Sequence, residues 1–338
     1  MDLKRIFMKD ACPTKIGGQA IIEGIMMRGA DRIATVIRLP DKSLHIKTEK
    51  LPKPGKITKI PILRGVAAFV SSLVTGTKIL MYSADVLESY EDPEEQAEEQ
   101  ESEKGFCAWF ERKFGEKALW NLMIYTSVFF AIIFTVGIFV VLPTALVHLC
   151  SRFTESEVLL NLIEGVLRII MFVMYVVLIR RMSDIRRVFQ FHGAEHKCIH
   201  CFENGLELTP ENCQQFYTLH PRCGTSFMMF VMVISLVLFS LLGWPNLFWR
   251  ITSRLLLIPV IAGLSYELLR WAGRSDGIVV KILSIPGLYL QKLTTCEPET
   301  EHLEVAIAAM KAVMADESTP TFTGKCDLDG NLIPGTEV

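Results

Sequence analysis

Between residues 192 and 227 the chain reads His192-Gly-Ala-Glu195-His196-Lys-Cys198-Ile-His200-Cys201-Phe-Glu203 and then His220-Pro-Arg222-Cys223-Gly-Thr. Four of the seven histidines and four of the nine cysteines fall in this stretch. Two kinds of metal chemistry fit it. His192 and His196, at i and i+4, face the same way on a helix. With Glu195 beside them they give the inverted zincin order His-x-x-Glu-His, in which two histidines hold zinc and the glutamate activates water. A third protein ligand would come from His220, Cys223, Glu203 or Glu267. Alternatively, Cys198-x-x-Cys201 and His220-x-x-Cys223, eighteen residues apart, match a closed structural zinc site that only staples a loop. A third reading leaves these side chains lining a packed loop without metal. Gly193 weakens the helix that the first reading needs.

The elements that must position this stretch are mostly apolar. Half of the 338 residues are hydrophobic and the mean hydropathy is +0.34, high for a soluble protein. A net charge of −2 gives no global electrostatic case for nucleic acid. Nine cysteines in a chain of this length are too sparse for a disulfide scaffold. The start, Met1-Asp-Leu-Lys-Arg, lacks an apolar core, so no cleaved signal peptide is expected. Four stretches are long and apolar enough to span a bilayer, which takes about 20 helical residues: 120–147, 158–180, 226–246 and 253–272. Glu164 with Arg168, and Glu267 with Arg270, share helix faces. The first of these pairs reads as self-neutralised.

Basic clusters orient the spans. Arg112, Lys113 and Lys117, then Arg180, Arg181, Arg186 and Arg187, then Arg270, Arg274 and Lys281 all fall on one side, against Arg152 and Arg250 on the other. Both termini and the 181–225 loop are therefore expected in the cytoplasm, where thiols stay reduced. Residues 61–87 give a helix of small and apolar residues, expected to be interfacial or re-entrant. Residues 31–50 read as a β-hairpin around Pro40-Asp-Lys-Ser43. The paired glycines of Gly17-Gly18 suit close approach of backbone to a ligand, without the spacing of a phosphate loop. Thr294 and Glu297 have capping-box spacing ahead of a helix running to Met314.

The expected fold is thus an α-helical polytopic membrane protein with about four transmembrane helices and a small α+β cytoplasmic part. Its divisions are a β-rich segment (1–55), an amphipathic or re-entrant helix (56–87), an acidic linker (88–117), a transmembrane domain (118–274) carrying the metal-motif loop, a C-terminal segment and helix (275–315) and a loose tail (316–338).

Four motifs, Gly17-Gly-Gln-Ala-Ile-Ile-Glu-Gly-Ile-Met-Met-Arg-Gly29, Phe191-His-Gly-Ala-Glu-His-Lys197, His220-Pro-Arg-Cys-Gly-Thr-Ser-Phe227 and Leu293-Thr-Thr-Cys-Glu-Pro298, resemble the YqhQ-like family. This is domain-of-unknown-function family 1385, bacterial membrane proteins described as predicted metal-dependent enzymes. The likeness covers residues 15–315. It implies a bacterial cytoplasmic membrane and a pattern of His192, Glu195, His196, Glu203, His220, Arg222 and Cys223. Cys198 departs from that pattern, where threonine is usual, which weakens the closed site. Glu23, Arg28, Gln291, Thr294, Thr295 and Glu297 are implied to share one pocket with the metal motif, where Arg28 or Arg222 would bind an anionic group.

The expected function is a divalent-metal hydrolase, zinc being the expected ion. Its ligands would be His192, His196, His220 and Cys223, with Cys201, Glu203 and Glu267 as further candidates and Glu195 as general base. Its substrate would be a membrane-associated small molecule, lipid or peptide. The alternatives are a non-enzymatic scaffold or assembly factor with a structural metal, and a small transporter using Glu164 and Arg168, against which no inverted repeat is visible.

Overall fold

A computed structural model of the chain describes residues 14, 16–51, 60–90, 116–150, 156–242, 247–272, 277–315, 323–327 and 333. The chain forms two compact units. One comprises Met1–Leu87, Val173–Ser235 and Ser253–Val338, the other Glu88–Phe172 and Leu236–Thr252. Most of the acidic linker, 91–115, lies outside the described residues.

The first unit is built on an antiparallel sheet of strands β1 (Gly17–Ile21), β2 (Gly24–Arg28), β3 (Arg32–Arg38), β4 (Leu44–Lys50) and β5 (Thr323–Cys326), in that order. The hairpin expected over 31–50 is β3–β4, with Ile37 opposite His45. The sheet is larger than the sequence suggests. The glycine motif itself folds as β1–β2, turning at Ile22 and Glu23, whose φ is +49°. The segment expected to be a loose tail contributes β5, with Leu44 opposite Cys326. The strands escape a period-two signal because both faces are covered. Ile25, Met27, Ala34, Val36, Leu44 and Ile46 pack under helices α5 (Ser183–Glu203) and α10 (Thr300–Met314). Ile21, Met26, Ile33 and Ile37 pack against Ile79 and Val86 of α1 (Leu63–Glu88).

The cap of α10 falls later than Thr294–Glu297 spacing suggests. Glu299 is the N-cap and His302 completes the box, its Nδ1 accepting from Glu299 N–H at 3.2 Å. Residues 295–299 stay outside the helices because they cross α5, where Cys296 N–H donates to the Phe189 carbonyl at 2.8 Å.

Among the described residues, four helical stretches are long and apolar enough to cross a membrane: Leu63–Glu88, Thr126–Leu149, Glu157–Ile179 and Thr252–Ala272. The second joins α2 (Glu116–Val136) to α3 (Leu142–Cys150) through a π turn at Gly137–Val141; the third is α4, and the fourth lies in α8 (Leu247–Ala272). This set differs from the expected one. Residues 61–87 meet the criterion, whereas the segment at 226–246 is α7, Thr225–Ser240, of 16 residues. Helix α1 packs on α8 at Gly65, where a Cβ would come within 2.9 Å of the Gly263 backbone, and Arg64 pairs there with Glu267.

In the second unit Glu164 and Arg168 pair at 2.8 Å. Thr144 donates to Glu164 Oε1, and Arg168 donates to the carbonyl of Phe139 within the π turn. A π turn loosens the regular ladder and frees such a carbonyl. Both charges are satisfied locally, as the sequence suggests.

Candidate metal centre

Helix α5 carries the His-x-x-Glu-His motif on its buried half, residues 191–203. Gly193 has a steric reason to be glycine. The 294–297 crossing runs so close that a Cβ there would collide with the Cys296 carbonyl. That crossing brings the Thr294 carbonyl to His192 Nδ1 at 2.8 Å, while His196 Nδ1 meets the Thr218 carbonyl at 2.6 Å. A carbonyl only accepts, so each Nδ1 carries the proton and each Nε2 is turned inward, the second-shell arrangement of metal-binding histidines.

Cys223, on the turn before α7, supplies the third donor. Its Sγ lies 3.2 Å from His192 Nε2, and one ligand atom from each of His192, His196 and Cys223 lies within 4.8 Å of the others. Zinc bonds of about 2.0–2.1 Å to nitrogen and 2.3 Å to sulfur place tetrahedral ligand atoms roughly 3.5 Å apart. His196 Nε2 is buried and has no hydrogen-bond partner, as a ligand awaiting an ion would be. The residues therefore fit a divalent ion.

Glu195 sits beside this group and accepts from Gly18 N–H at 2.8 Å. Gly18 too is a close approach: a Cβ would lie 2.6 Å from the Met26 carbonyl and 3.0 Å from the Glu195 carboxyl carbon. The group opens on a cavity of about 760 Å3 lined by β1, by Ser72, Thr75 and Gly76 of α1, and by Arg28 and Arg222.

Other expected residues fall elsewhere. His220 lines the cavity but stands outside the triad. Its Nδ1 accepts from Arg222 N–H at 3.3 Å and its Nε2 lies 3.6 Å from Glu203. Gln291 clamps its backbone, accepting from the N–H and donating to the carbonyl, each at 2.9 Å. Glu203 holds Arg222 and accepts from Thr14 N–H at 2.8 Å. Cys198 and Cys201 turn toward Cys213 on α6 (Pro210–Gln214), so they do not join His220 and Cys223 in a closed site. Glu267 is held by Arg64. Of the residues implied to bind substrate, Arg28 is exposed on the cavity wall and Arg222 lines it while held by Glu203. Glu23 pairs with Arg187, and Glu297 pairs with Lys197. Thr295 is buried, donating to the Gln291 carbonyl at 2.8 Å. These last residues, with Gln291, hold the site together without lining it. Sequence reasoning missed the Thr218 carbonyl, the partner role of Cys213 and the α1 wall. A backbone carbonyl leaves no sequence signal.

Charge follows from the geometry. Burial pushes the Glu195 carboxyl up, against the pull of His196 and His192. Burial works against a charged His192, but Cys223 and Glu195 outweigh it and raise the ring to about 9. Burial also opposes a Cys223 thiolate, yet His196 and His192 bring the thiol well below its usual range. Burial lowers His220 to about 3 and His200 to about 4. Glu203 falls to about 2 because His220, Thr14 N–H and Arg222 overcome its burial.

A family model described as a protein of unknown function, DUF1385, matches residues 60–316. The chain is similar to the uncharacterized protein YqhQ of Bacillus subtilis (strain 168), with 34% identity over 318 residues, covering 92% of this chain and 95% of the relative. No solved structure matches. With three quarters of its length inside the family model and a 34% identical relative aligned over 92% of it, the chain belongs to the DUF1385 family.

Proposed function

We propose that the protein is a metal-dependent hydrolase at the cytoplasmic face of a bacterial membrane. His192, His196 and Cys223 hold a divalent ion and Glu195 is the general base. The supporting observation is the convergence of three donor atoms beside a buried carboxylate on the wall of an open cavity. Mixed nitrogen and sulfur donors suit zinc. Such an ion supplies an acidified water and a positive charge beside the substrate carbonyl. The chain's own groups do the rest. Gly18 N–H holds Glu195, which would serve as the proton acceptor beside the ion's site, and burial makes its carboxylate a stronger base. The carbonyls of Thr294 and Thr218 hold the two imidazoles in the ligating tautomer. Arg28 offers a guanidinium to an anionic group of a membrane-associated lipid, peptide or small-molecule substrate. A set of three protein donors would leave an ion open to water, which supports catalysis over a structural staple.

One observation favours a second reading. The 3.2 Å contact of Cys223 Sγ with His192 Nε2 is also the geometry of a thiolate–imidazolium nucleophile. Metal analysis of the purified protein separates the two. One equivalent of zinc is expected, lost in His192→Ala, His196→Ala and Cys223→Ser and kept in Glu195→Gln, which loses hydrolysis. Wild-type stoichiometry in both histidine variants defeats the metal reading. Full hydrolysis by Glu195→Gln favours the thiol nucleophile, full complementation by it with no hydrolysis favours a scaffold, and loss of hydrolysis on alkylation with no metal bound selects the thiol.

A further inference from the structure

The cavity beside Glu195 is bounded by an open sheet edge. Strand β1 ends the sheet order, with β2 on one side and, among the described residues, no strand on the other. The two-residue turn makes Ile21 and Gly24 the closing pair, and antiparallel bonding alternates from such a pair. Gln19 and Gly17 therefore turn their backbone groups to Met26 and Arg28, while Gly18 and Ala20 turn theirs outward. The bond from Gly18 N–H to Glu195 Oε1 agrees with this. That carboxylate oxygen stands where the carbonyl of a neighbouring strand would stand. Residues 16–20 line the same cavity as His192, His196 and Cys223. Nothing lies within 4 Å of a Cβ built on Gly17, so the start of β1 is open beside this edge.

With the Gly18 N–H taken by Glu195, the outward groups that remain are the Gly18 carbonyl and the Ala20 N–H and carbonyl, and such edge groups are matched by another extended polypeptide. An acyl chain has nothing to offer them. Resting on the hydrolase reading above, we propose that the substrate is an extended polypeptide segment that adds to β1 as a further strand and so passes across Glu195 and the His192–His196–Cys223 group. Bonds to the Gly18 carbonyl and to the Ala20 N–H and carbonyl hold the segment without regard to its side chains. A cavity of about 760 Å3 admits a short stretch of chain, so the segment is a terminus, a loop or an unfolded region. In the reaction the water oxygen bonds to the amide carbon and the C–N bond breaks. Glu195 carries the proton taken from water to the leaving nitrogen. The products are a carboxylate and an amine, and no redox partner is needed.

The test uses the full chain loaded with zinc in lipid nanodiscs and a mass-coded library of unstructured ten-residue peptides. Peptides are cleaved, and Ala20→Pro lowers kcat/KM about tenfold or more at unchanged zinc content. Proline there removes only an outward N–H, since Ala20 gives none to β2. Two readouts need no β1 variant. Saturating peptide on Glu195→Gln slows hydrogen exchange of the Ala20 amide, and N-methylation of the best peptide weakens binding at every second position near the cut. An Ala20 amide indifferent to peptide, or equal loss at every methylated position, overturns strand addition and leaves the hydrolase reading standing. Ester hydrolysis in phosphatidylglycerol vesicles with no peptide cleaved overturns the polypeptide substrate in the same way. Protection of Ala20 by peptide with no turnover of peptide or ester removes the hydrolase reading and keeps peptide recognition.

Discussion

At the scale of the residue, Gly193 sets two effects against each other. Alanine in place of glycine stabilises a helix interior by about 0.8–1 kcal/mol. The new Cβ would collide with the Cys296 carbonyl, and overpacking costs about 1–3 kcal/mol. The obstacle is backbone, which cannot rotate away, so the collision wins. Gly193→Ala is expected to lower the melting temperature and weaken zinc binding, because displacing 294–297 takes the Thr294 carbonyl from His192. A variant more stable than wild type would show that the crossing moves freely. His200 governs a different measurement. Burial lowers its folded value from 6.5 to about 4, with the Leu219 carbonyl opposing and His196 assisting. Above pH 6.5 neither state holds the proton. Between 6.5 and 4 the unfolded chain binds one that the folded chain refuses, so stability falls with falling pH. The loss reaches roughly 3 kcal/mol across that window. Thermal melts of wild type and His200→Gln at stepped pH check this, the variant showing the shallower slope.

At the scale of the element, β5 closes the far edge of the sheet. Its residues Gly324 and Cys326 are buried, and Lys325 pairs with Asp41 at the β3–β4 turn. Truncation after Asp316 leaves the outer edge of β4 unpaired, and unpaired edges self-associate. The truncated protein is expected to melt lower and to elute as larger species in size-exclusion chromatography, with the Leu44 and Ile46 amides, which face β5, now open to hydrogen exchange. This strand marks the limit of what the sequence shows. The β3–β4 hairpin is legible because its strands flank a turn with the right residues. Strand β5 is four residues in a polar tail, and its partner lies more than 270 positions away. Strands β1 and β2 hide because the sheet is covered on both faces. In the site, the i, i+4 spacing of His192 and His196 is legible on α5. The choice between His220 and Cys223 is not, since it depends on Gln291 clamping the His220 backbone toward Glu203.

At the scale of the whole molecule, contacts within the first unit set the parity of membrane crossings. Leu51 ends β4 at the sheet, and Tyr82 and Val86 of α1 return to it, Tyr82 meeting His45 at 2.7 Å. A spanning α1 would need residues 52–60 to recross the bilayer. Nine extended residues reach only about 30 Å, the thickness of the hydrocarbon core, with their backbone groups unsatisfied in it. Helix α1, whose Gly65 meets Gly263 midway along α8, is therefore expected to be re-entrant, dipping into the bilayer from the side of the sheet without crossing it. The opposite holds for α7. His192 on α5 touches Thr294 at the end of α9 (Ile278–Thr294), so both lie on one side. Helix α8 crosses once between them, and α7 must supply the second crossing. Its 16 residues span about 24 Å, which local thinning of the bilayer accommodates. The expected crossings are then α2–α3, α4, α7 and α8, and the metal centre is expected on the side of the basic clusters. Reporter phosphatase fusions after residues 153 and 246 are expected to be active outside the cell, and fusions after 90, 207 and 315 inactive. Activity after residue 90 would make α1 a span, and inactivity after 246 would remove α7 as one.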